Sequence, residues 1–328
     1  MATLASGVGT LLDIQKSLDP NGAPARIIES LTRNSPILND IPWMPTNGAD
    51  SHLVTTRTGL PRPTWVKYNQ GVTPVKGITD QFTETCGRAE SRISIDKALA
   101  KRKGAEAYKT QTVQAVLEGM RQEVATGLFY HSTKTAPEKF MGLSPRLDKL
   151  SGIPYSGQII PHTGSPSGND QMSIWLIGWG LNTVHGIYPQ GTTAGITHTP
   201  LKEDYEDDGA GGKYLAERAH LSWQCGLAVE DARYVVRVCN IDLSALVGTG
   251  STIINCMIDA LERINSLDGC TPVFYMNRTL RAFLRKQLND TAKTITIEQV
   301  GGKPVMHFSE VPIHREDALL STESIVPA

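Results

Sequence analysis

At 328 residues, 40% apolar and 20% charged with a net charge of −1, the chain can bury one large core or two moderate ones, and its charge suits neither a nucleic-acid nor an acidic-membrane surface. Apolar runs stop well short of the roughly 20 residues a membrane span needs, and residues 1–7 lack the basic and continuous apolar regions of a signal peptide. Cys86, Cys225, Cys239, Cys256 and Cys270 are odd in number and never in Cys-x-x-Cys spacing, so they read as reduced, mostly buried thiols of a cytosolic setting.

Residues 1–46 read as an arm. Leu11, Leu12 and Leu18 suit a short helix that Pro20, Gly22 and Pro24 break, and Ile27, Ile28 and Leu31 share one face of a second. The prolines of NSPILNDIPWMP at 34–45 forbid regular structure, while Ile37, Leu38, Ile41, Trp43 and Met44 still favour burial. Such a segment must lie along another surface, its own or a neighbour's.

The most informative stretch spans residues 52–96. Thr-rich alternation at 52–57, 78–85 and 89–95 surrounds a tip punctuated by Gly59, Pro61, Pro63, Gly71, Pro74 and Gly77, the pattern of a long hairpin. Arms of about 20 residues would reach about 65 Å. A compact chain of this length has a radius of gyration near about 20 Å. The hairpin overshoots its own domain, which points to assembly before it points to catalysis.

From residue 104 to 131, Val113, Val116, Leu117, Met120, Val124 and Leu128 recur at steps of three and four, the stripe of one long surface-lying helix. Lys109, Glu118, Arg121, Gln122 and Glu123 fall on its other side. Residues 132–170 read as loop ending in a flexible connector at 163–170. A strand-rich block follows at 173–179, 183–188, 214–223 and 234–238, interrupted by an acidic, Gly-rich tip at 202–213. The last third is mixed. Ile253, Ile254, Met257, Ile258, Leu261 and Ile264 make a helical stripe closed by Asp268-Gly269, and 272–276 is a short buried strand. Asn277 caps a second helix with Leu280, Phe283, Leu284 and Leu288 inward, and strands at 294–297 and 304–308 flank Gly301-Gly302.

The search for chemistry mostly fails. Pro166 at the centre of GSPSG, 164–168, excludes a nucleophile elbow, and the glycines at 7 and 9 are a lone fragment of a dinucleotide loop. His185, His198 and His220 share no ligand-type spacing and read as surface or partly buried histidines. Glu203, Asp204, Glu206, Asp207 and Asp208 could hold calcium only if the loop folded round it; a solvated acidic tip is the simpler reading. Cys225 with His220 lacks an orienting third group and reads as a core thiol. Trp175, Trp179 and Trp223 read as core or inter-subunit packing. The residues supply no catalytic, cofactor or metal site, and the chain is not expected to be an enzyme.

Together, an apolar arm, an extended hairpin, a strut helix, a strand-rich body and a terminal helix–strand lobe resemble the major capsid proteins of tailed bacteriophages, of the Hong Kong 97-type α+β fold. The matching stretches are NSPIL at 34–38, TRTGLP at 56–61, Trp65 with NQG at 69–71, FMGLSPR at 140–146, SIWLIGWG at 173–180, TVHGIYPQG at 183–191, WQCGL at 223–227 and RYVVRVCNID at 233–242. They are specific in combination and weak singly.

The resemblance implies an N-terminal arm at 1–46, an extended loop at 47–87 lying over an adjacent subunit, and a peripheral domain at 88–245 with its spine helix at 104–131. It implies an axial domain and C-terminal strands at 246–328, where PVFYMN at 272–277 and GKPV at 302–305 are similar to that domain's helix–strand module. Because the strand block precedes the lobe, a rethreaded segment order is expected. The implied function is a structural shell subunit that self-assembles into pentamers and hexamers, forming an icosahedral head round double-stranded DNA without sequence-specific binding. Inter-subunit contacts are expected at Ile37, Leu38, Trp43, Arg57, Leu60, Arg62, Trp65 and Lys67. Expected partners are a separate scaffolding protein, a portal protein and a decoration or cement protein, with synthesis in the host bacterial cytoplasm and residence in the virion capsid. Some members of the fold join neighbours through a lysine–asparagine isopeptide bond; Lys67 and Lys76 offer the amine, and the sequence names neither partner. The alternative is a nanocompartment shell enclosing a cargo enzyme, and a third reading, a soluble hydrolase, needs a site the search did not find.

Overall fold

The computed structural model describes residues 32–102, 105–162, 168–208, 211–242, 251–290, 295–300 and 303–327. The short helices expected before residue 32, much of the connector at 163–170 and the Gly301-Gly302 turn lie outside them. The chain divides into two compact units, one of residues 1–33, 88–125 and 193–224, the other of residues 34–87, 126–192 and 225–328.

The larger unit is built on β6 (Gln171–Trp179), buried along its whole length. A run such as SIWLIGW has no polar face, so it suits only a strand covered on both sides. β10 (Val235–Asp242) and β11 (Thr271–Met276) flank it antiparallel, placing Val236 and Phe274 on either side of Leu176. Beyond β11 lie β14 (Val311–Arg315) in parallel, then β13 (Lys303–Phe308) and β12 (Ile295–Val300), each antiparallel to the one before. β5 (Ile159–Pro161) runs parallel to β10 at the other edge. β7 (Val184–Tyr188) continues from the end of β6 and carries β1 (Trp43–Pro45) in parallel.

Two amphipathic helices cover one face of this sheet. Ile253, Met257 and Ala260 of α4 (Ser251–Arg263) and Leu280 and Leu284 of α5 (Arg278–Asp290) join Ile174, Leu176, Val238 and Phe274 in one buried cluster. Asn277 caps α5 by accepting from Thr279 N at 3.1 Å. On alternate positions of the strands, Trp175 and Tyr275 meet Phe129 at ring-centroid distances of 6.0 and 6.4 Å. The indole of Trp179 donates to Tyr275 Oη at 2.8 Å, and that hydroxyl donates to Asp40 at 2.6 Å. The three tryptophans of the strand block are therefore core residues, none more than 6% exposed.

The smaller unit takes β4 (Gly87–Asp96) from residue 88, α2 (Lys97–Ala100), α3 (Ala105–Tyr130) through Ala125, β8 (Ile196–Asp207), and β9 (Lys213–Val229) through Gln224. β8 and β9 form an antiparallel hairpin with Asp204 opposite Ala216, and β4 lies beside β9. Ile93 and Ile95 of β4 and Met120 and Val124 of α3 are buried.

Several expectations change. The Thr-rich alternation is not one hairpin: its third run is β4, a strand of a different sheet. Paired arms are β2 (Ser51–Gly59) and β3 (Ile78–Thr85), nine and eight residues long, which at ~3.3 Å per residue reach about 30 Å instead of 65 Å. Residues 34–45 do hold regular structure, α1 (Ile37–Asp40) and β1. Their prolines stand at a helix N-cap and along an edge strand, where a missing N–H costs little. Lys109, expected on the outer side of α3, is buried, and its ammonium donates to Glu106 at 2.8 Å and Glu217 at 2.5 Å. Such pairing is what makes a buried charge tolerable.

The acidic stretch 202–208 is mostly strand, not tip. Across it stand cations: Lys97 beside Glu203, Arg218 2.7 Å from Asp204, and Arg92 2.8 Å from Glu206, which also accepts from Ser94. Glu206 is buried, and these cations offset the charge of the acidic run, although in the β8–β9 register Glu203 itself stands opposite Glu217. Finally, the border expected between residues 245 and 246 separates no two cores, because β6 and β10 before it and β11 and β14 after it share one sheet.

Candidate assembly surface

β2 and β3 pair from Ser51 opposite Thr85 to Gly59 opposite Ile78. The root of this hairpin is anchored within the larger unit. His52, Val54 and Glu84 are buried. Arg146 forms a two-pronged pair with Glu84, Nη2 donating to Oε2 at 2.8 Å and Nη1 to the other oxygen; this fork geometry fixes direction as well as charge. Asn47 accepts from Leu53 N at 2.8 Å and donates to its carbonyl at 2.9 Å. A cavity of about 320 Å³ lies between Thr56, Asp80 and Phe82 of the hairpin and Leu143, Arg146 and Val235.

The far end is different in kind. Residues 60–77 form no strand, and a turn closes them: Gln70 N donates to the Lys67 carbonyl at 3.2 Å, with Asn69 at φ 66°, a left-handed conformation that asparagine tolerates. Trp65 and Tyr68 are wholly exposed, at 98% and 101%, and Leu60, Val72, Val75 and Ile78 are more than half exposed. Between Arg57 and Thr79 the chain carries Arg57, Arg62, Lys67 and Lys76 and no carboxylate. Water is a poor environment for so many exposed apolar side chains along one segment.

Of the expected contact residues, Arg57, Leu60, Arg62, Trp65 and Lys67 are exposed on this projection. Ile37 is not available: it is fully buried in its own chain, its N–H donating to Glu316 at 3.3 Å. Leu38 and Trp43 are half-buried. The Trp43 ring occupies the space above Gly186, where an added Cβ would come within 2.5 Å of it.

The thiols offer no nucleophile. Burial pushes Cys225 far up, the neighbouring Cys86 adding to it, and burial likewise raises Cys86 to about 12, with Asp50 contributing. His220 faces Glu90 at 3.5 Å. His185, in contrast, is not the solvent-facing or partly buried residue expected. It is fully buried on β7, edge-on to His52 at 5.5 Å between ring centroids, and His52 Nε2 lies 3.3 Å from Glu230 Oε1. Burial above all holds His185 below the ordinary imidazole value, against the pull of Glu230. Sequence spacing could not reveal this group, because its members stand 133 and 45 residues apart, 52 to 185 and 185 to 230.

No curated protein matches the chain. Among solved structures, a chain of bacteriophage Epsilon15 is similar over 100% of both chains, with 36% sequence identity and a TM-score of 0.81. The bacteriophage JBD30 capsid is more distant, at 9% identity and a TM-score of 0.47, covering 88% of this chain and 93% of that one. So is the SrpI encapsulin of Synechococcus elongatus, at 11% identity and a TM-score of 0.45, covering 71% and 96%. At those scores neither bears on function, and nothing favours the nanocompartment alternative. The fold is the α+β fold of Hong Kong 97-like phage capsids. The family Major capsid protein GP7 matches residues 19–327, and with that match this chain belongs to the phage major capsid proteins.

Proposed function

We propose that the capsid subunit assembles as pentamers and hexamers into a closed icosahedral head, with the hairpin of residues 47–87 laid over an adjacent subunit. The observation that carries this reading is the contrast within the hairpin: a root fixed by Arg146–Glu84 and Asn47, and a cationic tip whose Trp65 and Tyr68 touch nothing in their own chain. Leu38, Trp43, Arg57, Leu60, Arg62, Trp65 and Lys67 are the contact residues; the surface that receives the tip is apolar with an acidic rim. One standard interface buries about 1,600 Å². A subunit that makes several such contacts at once gains from multivalency, so no single contact need be strong.

In this reading the work of the chain is mechanical, not catalytic. The spine helix and the β8–β9 hairpin belong to a peripheral domain, and the sheet built on β6 with its two covering helices serves the axial one. A separate scaffolding protein guides closure in the bacterial cytoplasm, a portal protein occupies one vertex, a decoration or cement protein binds outside, and double-stranded DNA is enclosed without sequence-specific contacts. A photoreactive phenylalanine in place of Trp65 tests the central element. Irradiated particles should yield cross-linked dimers, and unassembled subunits none; cross-links confined to one chain would refute the domain-crossing hairpin.

A further inference from the structure

Three side chains from distant parts of the sequence meet at the root of the hairpin: His52 on β2, His185 on β7 and Glu230 just beyond β9. Each offers one donor atom, and these atoms all lie within 4.8 Å of one another. His52 and His185 are 5% and 0% exposed, yet His52 Nδ1 makes no hydrogen bond, and the two nitrogens of His185 make none of normal geometry, only a loose approach to the Gly180 backbone. Leaving a buried polar atom unpaired costs about 1–3 kcal/mol. An apolar residue at 185 would avoid that cost, so the imidazoles call for a ligand.

We infer that His52, His185 and Glu230 form a site for a divalent transition-metal ion, Zn²⁺ by the chemistry of its donors, that fastens the first strand of the hairpin to the sheet beneath it. Two imidazoles and one carboxylate are a common Zn²⁺ donor set. Mg²⁺ and Ca²⁺ take oxygen ligands instead and are poorly served here. Bonds of about 2.0–2.1 Å in a tetrahedron set donors roughly 3.3 Å apart. The His52–Glu230 pair already stands at that value, 3.3 Å, and no other donor separation exceeds 4.8 Å; the Glu230 side chain is 32% exposed. Its exposed side leaves the fourth position to water. Thr56 Oγ1 donates to the Glu230 carbonyl at 3.3 Å and so holds the carboxylate's backbone against the same strand that carries His52.

The bound ion joins β2, β7 and the end of β9 at one point. It stiffens the root and leaves the tip free, and it does not depend on where the tip docks. The test uses the full chain stripped with a chelator, then titrated with ZnCl₂ by calorimetry and with CoCl₂ by visible absorption. The expected result is saturable uptake of one ion per chain, the intense visible bands of tetrahedral Co²⁺, and a rise in Tm with Zn²⁺. Glu230→Gln, at a partly exposed position, should keep the fold and weaken binding by roughly tenfold or more. Uptake without tetrahedral Co²⁺ bands in the native protein would overturn the inference, as would unchanged Zn²⁺ affinity in a folded Glu230→Gln variant. The Co²⁺ spectrum decides the matter even if the variant fails to fold.

Discussion

The Arg237 guanidinium donates to the Glu323 carboxylate at 2.9 Å, with the two side chains only 4% and 5% exposed. Around them Ser173 Oγ donates to Glu323 at 2.5 Å, Tyr130 Oη does the same at 2.5 Å, and Arg237 also donates to the Leu147 carbonyl at 2.8 Å. Arg237 stands in the middle of β10, and Glu323 belongs to the tail. This pair therefore ties the last residues of the chain to the central sheet, 86 positions away.

Removing one partner leaves the other charge buried and unpaired, which costs far more than the pair contributes. Glu323→Ala should lower the stability of the unassembled subunit by about 3–5 kcal/mol in urea denaturation. A loss under about 1 kcal/mol would mean that water reaches the Arg237 site.

Glu316 sets a pH dependence. It is fully buried, and burial raises its carboxyl to about 7 although the N–H groups of Ala318 and Ile37 donate to it and pull the other way. Between the ordinary value, 4.5, and about 7, the folded chain binds more protons than the unfolded one. Its contribution is thus fully present below pH 4.5 and is lost as pH rises through about 7, a decline of about 3 kcal/mol. Glu316→Gln should flatten that decline in denaturation midpoints measured from pH 4.5 to 8. An unchanged slope in the variant would assign the pH dependence to other groups.

Much of the fold is legible locally, and what is not has a single cause. The apolar stripe of α4 and the buried run of β6 are short-range patterns, so periodicity alone locates them. The exposed tip was also readable, because Pro61, Pro63 and Pro74 beside Trp65 leave an aromatic with no element of its own to pack on. Pairings between distant strands were not. The same Thr-rich alternation serves β2, β3 and β4, and nothing in it says that the third run changes sheets. Lys109 with Glu217, Arg92 with Glu206 and His52 with His185 are set by register between segments 108, 114 and 133 residues apart.

Gly186 is required by a close approach, not by its backbone angle. An added Cβ would come within 2.5 Å of the Trp43 ring, so Gly186→Ala must push Trp43 away and loosen β1 from β7. Overpacking of this kind typically costs about 1–3 kcal/mol. The loss should appear as a lower Tm together with a red-shifted tryptophan emission; a stability equal to the native protein would show that β1 is not held by this contact.

Tyr275 bridges Trp179 and Asp40 with one hydroxyl, and His314 Nδ1 reaches the same carboxylate at 2.7 Å. Tyr275→Phe leaves the buried Trp179 N–H without an acceptor while conserving ring packing. The expected cost is about 1–3 kcal/mol by chemical denaturation. A neutral outcome would contradict the bridge.

The most direct measurement is negative-stain electron microscopy after size-exclusion chromatography, comparing the native chain with the Trp65→Ala/Tyr68→Ala double variant, each alone and with a candidate scaffolding protein. Both side chains are free of their own chain, so the variant should remain a folded subunit by circular dichroism. The account predicts closed shells, or rings of five or six, from the native chain and only unassembled subunits from the variant. Shells of normal size and yield from the variant would contradict the claim that the hairpin tip holds neighbours together.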